Sequence, residues 1–276
     1  MKQTTSWRDL AIAVYKAPSD SRIYGIYDVD VTNVMEYIAR KRDTGVHLTI
    51  THFMTAALAR TLYEDLPDIN CYVQRGRLRF REDANVFLAV SIEGGKGMTG
   101  MVVPKTQTLS ASQIAEYVQT HAARKRAGDE SGPFAAKGIL AKIPWPFRRP
   151  LFLLIKWWIF EMGLPFPFLK ISPDPFGSIM ITNIGGYGLA YGMVALFPIG
   201  KLPAVATMGA VTEKAVVIDG EIKIRKMLPL TGTFDHRIVD GAQAGALSRG
   251  VETRLAHPEL LDQPNPPSTD PTASNS

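Results

Sequence analysis

The chain has 276 residues, of which 46% are hydrophobic and 21% are charged, and its formal net charge is +5. This composition is that of an ordinary globular protein, and it excludes an intrinsically disordered, collagen-like or disulfide-stapled chain. Cys71 is the only cysteine, which excludes an intramolecular disulfide and a cysteine-rich zinc site. The N-terminus lacks the apolar stretch of a secretory signal, and no run of 18 apolar residues occurs, so we expect a cytoplasmic protein without a simple transmembrane helix.

The first half of the chain predicts a strand, two helices, several short strands and a third helix. Alternating β-favouring residues predict a strand over Arg22 to Val31, and Thr32 then offers a cap for a short helix that ends near Arg42. Thr49 or Thr51 caps the next helix, which ends before Pro67. The elements expected after it are strands at 70–74, 77–81, 86–92 and 101–104 and a helix from Ser110 or Ser112 to Arg126.

Residues 121–172 combine a local basic excess with an apolar run. They hold nine basic and three acidic residues, an excess larger than that of the whole chain. Such an excess indicates a solvated basic face or an anionic partner, which would be a nucleotide-type cofactor or a phospholipid surface rather than nucleic acid, because no nucleic-acid-binding module accompanies it. The run from Leu151 to Phe160, with Trp157 and Trp158, is too short to span a bilayer. It predicts either a buried helix or oligomer contact, or else a lid or an interfacial helix.

The second half predicts a β-rich block over Ser178 to Asp235, with turns at Gly185-Gly186 and Asp219-Gly220, and a final helix from Gly241 to Ala256. Strands and helices are interleaved without a linker, which favours one α/β domain with a large mixed sheet. Residues 262–276 contain four prolines and one aliphatic residue, so we expect them to be disordered.

The strongest candidate for chemistry is His236. A predicted strand leads into it and a predicted helix leads out of it, which places the imidazole at a strand end, where side chains project into a cleft. Asp240 follows four residues later, so a carboxylate lies nearby. An imidazole titrates near neutrality, which suits a general base. The remaining histidines lie in ordinary contexts and are interpreted as exposed or structural: His47, His52, His121 and His257.

The string Asp235-His236-Arg237-Ile238-Val239-Asp240-Gly241-Ala242 resembles the signature of the 2-oxo acid dehydrogenase acyltransferases, the dihydrolipoamide acyltransferases. Other segments resemble the family in the same order: Asp28–Thr32, Phe53–Asn70, Asn85–Val90, Gly100–Pro104, Ile181–Gly185 and Pro258–Leu261. The family shares its fold with chloramphenicol acetyltransferase. The resemblance therefore implies an α/β two-layer sandwich, a large mixed sheet with packed helices, that forms trimers. The expected organisation is a catalytic domain over 1–261, an apolar and basic insertion at 134–174, and a disordered tail over 262–276.

The resemblance also implies a mechanism. His236 would take the proton from the thiol of coenzyme A or dihydrolipoamide, and the thiolate would attack a thioester carbonyl. Thr182, at the family's Ser/Thr position, would donate a hydrogen bond to the oxyanion. Asp240 would hold the catalytic segment through an ion pair with Arg8. The residues assigned to structural ion pairs are Arg8, Arg237 and Asp235.

In this family the site lies between subunits, so the resemblance implies a homotrimer or a multiple of trimers. Coenzyme A or acyl-CoA is the expected substrate, with no metal, no lipoyl group attached to this chain and no nucleic acid. Three functions stay open: a stand-alone acyltransferase that uses a thiol or another nucleophile, the acyltransferase core of a dehydrogenase complex with its lipoyl domain on another chain, and a catalytically silent trimeric scaffold. Peripheral membrane contact through the insertion is the alternative to a purely cytoplasmic location.

Overall fold

The computed structural model describes residues 21–92, 97–126, 144, 147–164, 174–197 and 200–265. The strands are β1 (Arg22–Asp30), β2 (Cys71–Gln74), β3 (Arg77–Phe80), β4 (Val86–Ile92), β5 (Gly97–Val103), β6 (Ile179–Asn183), β7 (Ala204–Met208), β8 (Thr212–Ile218) and β9 (Glu221–Asp235). The helices are α1 (Thr32–Asp43), α2 (Ile50–Arg60), α3 (Ala111–Arg126), α4 (Arg148–Ile155), α5 (Gly241–Leu255) and α6 (Pro258–Leu261). Two π-helical turns, Thr61–Asp65 and Lys156–Glu161, continue α2 and α4.

Within these ranges, one mixed sheet of seven strands organises the molecule. Its order is β1-β9-β7-β6-β4-β5, and β8 pairs with the first half of β9. The β4–β6–β7 ladders are parallel, whereas β1, β7 and β8 all run antiparallel to β9. β2 and β3 form a separate hairpin. The long strand β9 therefore ties the sheet together, and its C-terminal end carries the segment that contains His236.

The main core lies between the sheet and helices α2, α3 and α5. Helix α2 is apolar on nearly all sides, from Phe53 to Ala59, because it packs against both α3 and α5. On β1, alternate residues such as Ile23 and Tyr27 face these helices, and their neighbours Tyr24 and Ile26 point to the opposite face. The sheet and helices form the two-layer α/β sandwich that the resemblance implied.

The face of the sheet away from the helices is covered only in part. A small cluster around Phe87, Phe176 and Val205 packs there. Tyr24 and Ile26 on the same face are 54% and 59% exposed. The β8–β9 hairpin, which turns at Asp219-Gly220 with positive φ at both residues as that dipeptide predicts, also exposes apolar side chains. These are Val217, Ile222 and Ile224, each more than 70% exposed.

The prediction that the tail is disordered from Asp262 onward was wrong at its start. Asp262 follows α6, and its carboxylate accepts hydrogen bonds from the Ser112 backbone N–H (3.1 Å) and the Tyr37 hydroxyl (2.9 Å). Lys41 Nζ lies 2.9 Å from the same carboxylate. Burial would raise the pKa of the Asp262 carboxyl, but these hydrogen bonds outweigh burial and lower it. The prediction of disorder rested on proline content, which does not reveal the side-chain contacts of Asp262. The remainder of the predicted tail, 266–276, lies outside the described residues.

Replacing Asp262 by asparagine is expected to lower the free energy of unfolding by about 2 kcal/mol at pH 7, because a carboxylate whose side chain is 4% exposed loses its charge-assisted partners. Urea unfolding measures this difference. It should shrink below about pH 4, since the folded-state pKa is depressed and the stabilisation is lost as the carboxylate protonates. Glu221→Gln, at a 73% exposed side chain, is the matched control. An Asp262→Asn effect no larger than that of the control would contradict the anchor.

Candidate active site

The backbone around His236 forms a closed turn at the end of β9. The His236 N–H donates to the Ser21 carbonyl at 2.8 Å, which ties the turn to the start of β1. The N–H groups of Ile238 and Val239 both donate to the Asp235 carbonyl at 2.9 Å. His236 is exposed at the C-terminal end of β9. Its position is therefore fixed by backbone hydrogen bonds on both sides, while the ring stays accessible.

A hydrogen bond to the backbone fixes the tautomer of the His236 ring. Nδ1 lies 3.0 Å from the carbonyl oxygen of Val239. A carbonyl can only accept, so Nδ1 carries the proton and donates it, and the neutral ring has an unprotonated Nε2. An imidazole in this state presents a lone pair that can remove a proton from an acidic group. The role of Val239 could not be predicted from its side chain, because the contact uses its backbone carbonyl.

Asp235 and Arg237 form a bidentate ion pair on either side of His236. Arg237 Nη2 lies 2.6 Å from Asp235 Oδ2, and Arg237 Nε lies 2.9 Å from Oδ1. The Asp235 residue is only 7% exposed. The hydrogen bonds that Arg237 donates to Asp235 raise the pKa of Arg237, against burial, which lowers it. The pair braces the turn that holds the imidazole.

Asp240 caps helix α5. Its Oδ1 accepts from the Ala242 N–H at 2.9 Å. Its own N–H donates to Gln243 Oε1 at 3.1 Å, and Asp240 and Gln243 together form a capping box. Asp240 therefore fixes the junction between the His236 turn and α5. Arg8, its expected ion-pair partner, lies outside the described residues.

Thr182 lies in a row of threonines that crosses the sheet. It is half-buried on β6 and pairs with Thr207 of β7, which in turn pairs with Thr231 of β9. Directly paired residues share a face, so the three side chains point away from the helices. Thr231 donates its hydroxyl proton to the Gly192 carbonyl. Within the described part of the chain, the Thr182 hydroxyl forms no hydrogen bond, which leaves its proton available to another acceptor.

The structure does not bring Thr182 and His236 of one chain together. Thr182 lies level with Thr231, which is two strands away from it in the sheet. Thr231 is in turn five residues before His236 along the chain. At about 3.4 Å per residue and about 4.8 Å per strand, the two residues are separated by roughly 15–20 Å. One chain alone therefore cannot place both side chains on the same reacting group.

The other described histidines have structural surroundings. His52 Nδ1 accepts the Thr49 N–H at 3.2 Å at the start of α2, and burial lowers the pKa of His52 to about 4. His121 stacks on Tyr117 with ring centroids 3.9 Å apart. His257 lies 3.6 Å from a Glu259 carboxylate oxygen, and His47 is exposed. None of them lies next to His236 in the sheet register.

The apolar run of the expected insertion is neither fully buried nor fully exposed. Ile159 and Phe160 are buried, whereas Trp157 and Trp158 are 50% and 41% exposed. The Phe160 carbonyl accepts hydrogen bonds from Lys201 Nζ and from Gln74 Nε2. These contacts dock the π-helical turn on the β2–β3 hairpin. Of the helices in the described ranges, none combines the length and apolarity that a bilayer span requires.

The same ranges contain no group of three or more histidine, cysteine or acidic side chains arranged to hold a metal ion. The predicted site residues offer an imidazole at His236 and a hydroxyl at Thr182. This combination suits proton transfer to and from a nucleophile, with a hydroxyl that can donate to a developing oxyanion.

Three comparisons place this chain among known proteins. The dihydrolipoyllysine-residue succinyltransferase component of the 2-oxoglutarate dehydrogenase complex from Bartonella vinsonii subsp. berkhoffii is 29% identical over 241 residues, which are 85% of this chain and 47% of that protein. A probable dihydrolipoamide acetyltransferase from Listeria monocytogenes superposes with a TM-score of 0.63 at 19% identity, over 96% of both chains. A chloramphenicol acetyltransferase superposes with a TM-score of 0.50 at 13% identity, over 86% of this chain and 89% of that one.

These two superpositions confirm the predicted fold. The chain spans about half the length of the curated relatives that it matches. The family described as 2-oxoacid dehydrogenases acyltransferase (catalytic domain) matches residues 12–131 and 173–262, which is more than half of the chain. The resemblance read from the His236 segment is thereby confirmed, and this chain belongs to the acyltransferase catalytic domain family of the 2-oxoacid dehydrogenases.

Proposed function

We propose that this protein transfers an acyl group between the thiol of coenzyme A and a second thiol, with His236 as the general base. The observation that carries the proposal is the Nδ1–H bond from His236 to the Val239 carbonyl, which leaves Nε2 as an accessible proton acceptor. Membership in an acyltransferase family supports the same chemistry. The Asp235–Arg237 pair and the Asp240 cap act as positioning groups for the turn and do not contact the reacting atoms.

In the proposed reaction, His236 Nε2 takes the proton from the attacking thiol. The sulfur forms a bond to the thioester carbonyl carbon, and the carbonyl oxygen becomes an oxyanion that accepts a hydrogen bond from a Thr182 hydroxyl. The intermediate then collapses, the original carbon–sulfur bond breaks, and the leaving thiolate recovers the proton from the imidazolium. Atoms and charge balance without a metal or a redox step.

The active site is proposed to lie between two copies of the chain in a homotrimer or a multiple of trimers. The separation of roughly 15–20 Å between His236 and Thr182 of one chain requires that a neighbour supply the hydroxyl. A surface for that neighbour exists on the face of the sheet that carries Thr182, where Tyr24 and Ile26 are more than half exposed. Exposed apolar patches on a single chain commonly mark a surface that is buried when chains associate.

Two settings for this activity are supported by different observations. The relatives are named as components of dehydrogenase complexes, which favours a core enzyme that exchanges acyl groups with a lipoyl group carried on another protein. The family match leaves out residues 132–172, within which Trp157 and Trp158 lie exposed, and this favours an enzyme with its own acceptor. The first setting predicts turnover with dihydrolipoamide, whereas the second predicts turnover with another nucleophile.

The test is an exchange assay with the purified full chain. Coenzyme A release is followed from acetyl-, succinyl-, isobutyryl- and octanoyl-CoA, with dihydrolipoamide or a panel of other thiols, alcohols and amines as acceptor. We expect acceptor-dependent release from at least one donor, and loss of that release in His236→Asn. Absence of release with every donor and acceptor, from protein that is trimeric and folded, would contradict the proposal and favour a silent scaffold.

A further inference from the structure

A cavity of about 280 Å³ lies between the sheet and helix α5. Its sheet wall is formed by the helix-facing residues of β1, β9 and β7, and its other wall by the first two turns of α5. The residues on both walls that matter for its size are small: Gly25, Gly232, Ala204, Ala206, Ala244 and Gly245. The ring of Phe234 covers Gly232 and contacts Gly25, so the unfilled space lies beside the remaining small residues.

One end of the cavity opens beside His236. Phe234, two residues before His236, and Gly241, five residues after it, both line the cavity. Gly241 is exposed, and a Cβ added there would meet no heavy atom of the described residues within 4 Å. At the other end, the Tyr27 hydroxyl donates to Glu252 Oε2 at 2.6 Å. The lining from Ile23 to Tyr27 extends about 13 Å along β1, away from the His236 turn.

The chemistry of the lining selects an apolar occupant. Most of the side chains that line the cavity are apolar, and the Ser248 hydroxyl donates to the Ala244 carbonyl at 3.1 Å. The Arg249 guanidinium lies beside Gly245 on the α5 wall. The volume is roughly twice that of a ~150 Å³ cavity that takes up a benzene ring, which provides room for about eight carbons.

We propose that this cavity binds the hydrocarbon tail of an acyl thioester of about six to eight carbons while its carbonyl stays beside His236. This inference rests on the proposed acyl transfer and specifies its substrate class. The occupant is the acyl group itself, because Phe234 and Gly241 place one end of the cavity at the turn of the proposed base and most of the lining is apolar.

The first experiment compares acyl-CoAs of increasing length on the full-length oligomer. Each methylene buried in an apolar site is worth about fourfold in affinity. We therefore expect kcat/KM to rise by at least about 100-fold from acetyl-CoA to octanoyl-CoA and to fall again once the chain exceeds the cavity. A profile that is flat or that falls from acetyl-CoA onward would overturn the proposal, as would a preference for succinyl-CoA.

The second experiment fills the cavity. Ala244→Leu adds three carbons within it and retains high helix propensity, so α5 is preserved. We expect the octanoyl-to-acetyl ratio of kcat/KM to fall about 30-fold. Thr253→Leu, on the exposed side of the same helix, adds apolar bulk outside the cavity and should leave that ratio unchanged. An unchanged ratio in Ala244→Leu, with protein that is folded by circular dichroism, would contradict the assignment.

A binding measurement separates failure of this inference from failure of the proposed function. Calorimetric titration of octanoyl-CoA and acetyl-CoA into His236→Asn reports affinity without turnover. If octanoyl-CoA binds about 100-fold more tightly and Ala244→Leu removes the difference, the cavity assignment holds even for an enzyme that shows no turnover. Equal affinities, together with measurable turnover of acetyl-CoA by the unsubstituted protein, would refute the cavity assignment and leave the acyl transfer intact.

Discussion

Replacement of His236 by alanine or by asparagine is expected to lower kcat for acyl exchange by about 10³-fold. In the proposed mechanism the ring supplies the proton acceptor, Nε2, and removal of a positioned general base commonly costs 10²- to 10⁴-fold. The two variants are complementary. Asparagine can still donate a side-chain N–H toward the Val239 carbonyl, which accepts the Nδ1 proton at 3.0 Å, but it has no basic nitrogen.

Steady-state kinetics on both variants test this prediction, with His47→Ala as the matched control at an exposed histidine. We expect His47→Ala to retain full activity. Unfolding free energies of the His236 variants should differ from that of the unsubstituted protein by less than about 1 kcal/mol, because the side chain is exposed. Activity within tenfold of the unsubstituted protein in His236→Asn would show that the imidazole is not the base.

Thr182→Val is expected to lower kcat by about 10²- to 10³-fold with little change in KM. Valine has nearly the shape of threonine, so it keeps the packing on β6 while it removes the hydroxyl that we propose stabilises the oxyanion. The interaction forms only as charge develops on the carbonyl oxygen, so the loss should appear in kcat.

Two further variants make the Thr182 prediction specific. Thr182→Ser keeps a hydroxyl and should recover activity to within about tenfold of the unsubstituted protein. Thr207→Val removes the neighbouring hydroxyl of the same row, at a residue that is 1% exposed, and should leave kcat nearly unchanged. Equal losses in Thr182→Val and Thr182→Ser would contradict a role for the hydroxyl.

Much of the fold was predictable because local patterns agree with the tertiary structure. The short apolar run over 86–92 predicted β4, and the sequence that starts at Gly241 predicted α5, with its last residue within one position of the observed end. Strand β5 begins at Gly97, earlier than the predicted Met101, because the glycine-rich segment pairs with the end of β4. Glycine content predicts a turn, and tertiary pairing overrides that preference.

The site was predictable in its residue types and less so in its geometry. The position of His236 at the end of a strand followed from the sequence, as did its proximity to Asp240. The cap formed by Asp240, the acceptor role of the Val239 carbonyl and the distance between Thr182 and His236 depend on backbone geometry and strand order. The cavity beside α5 arises from small residues far apart in sequence, which no local pattern reveals.

Subunit complementation tests the location of the active site most directly. His236→Ala and Thr182→Val chains, each nearly inactive alone, are co-expressed with different tags, and the mixed trimers are purified through both tags. Every trimer that carries both tags contains the two variants in a 2:1 or 1:2 ratio, and one of its three seams joins an intact histidine to an intact threonine of the neighbour. We therefore predict recovery of about a third of the unsubstituted activity. Mixed trimers no more active than the separate variants would contradict a shared site.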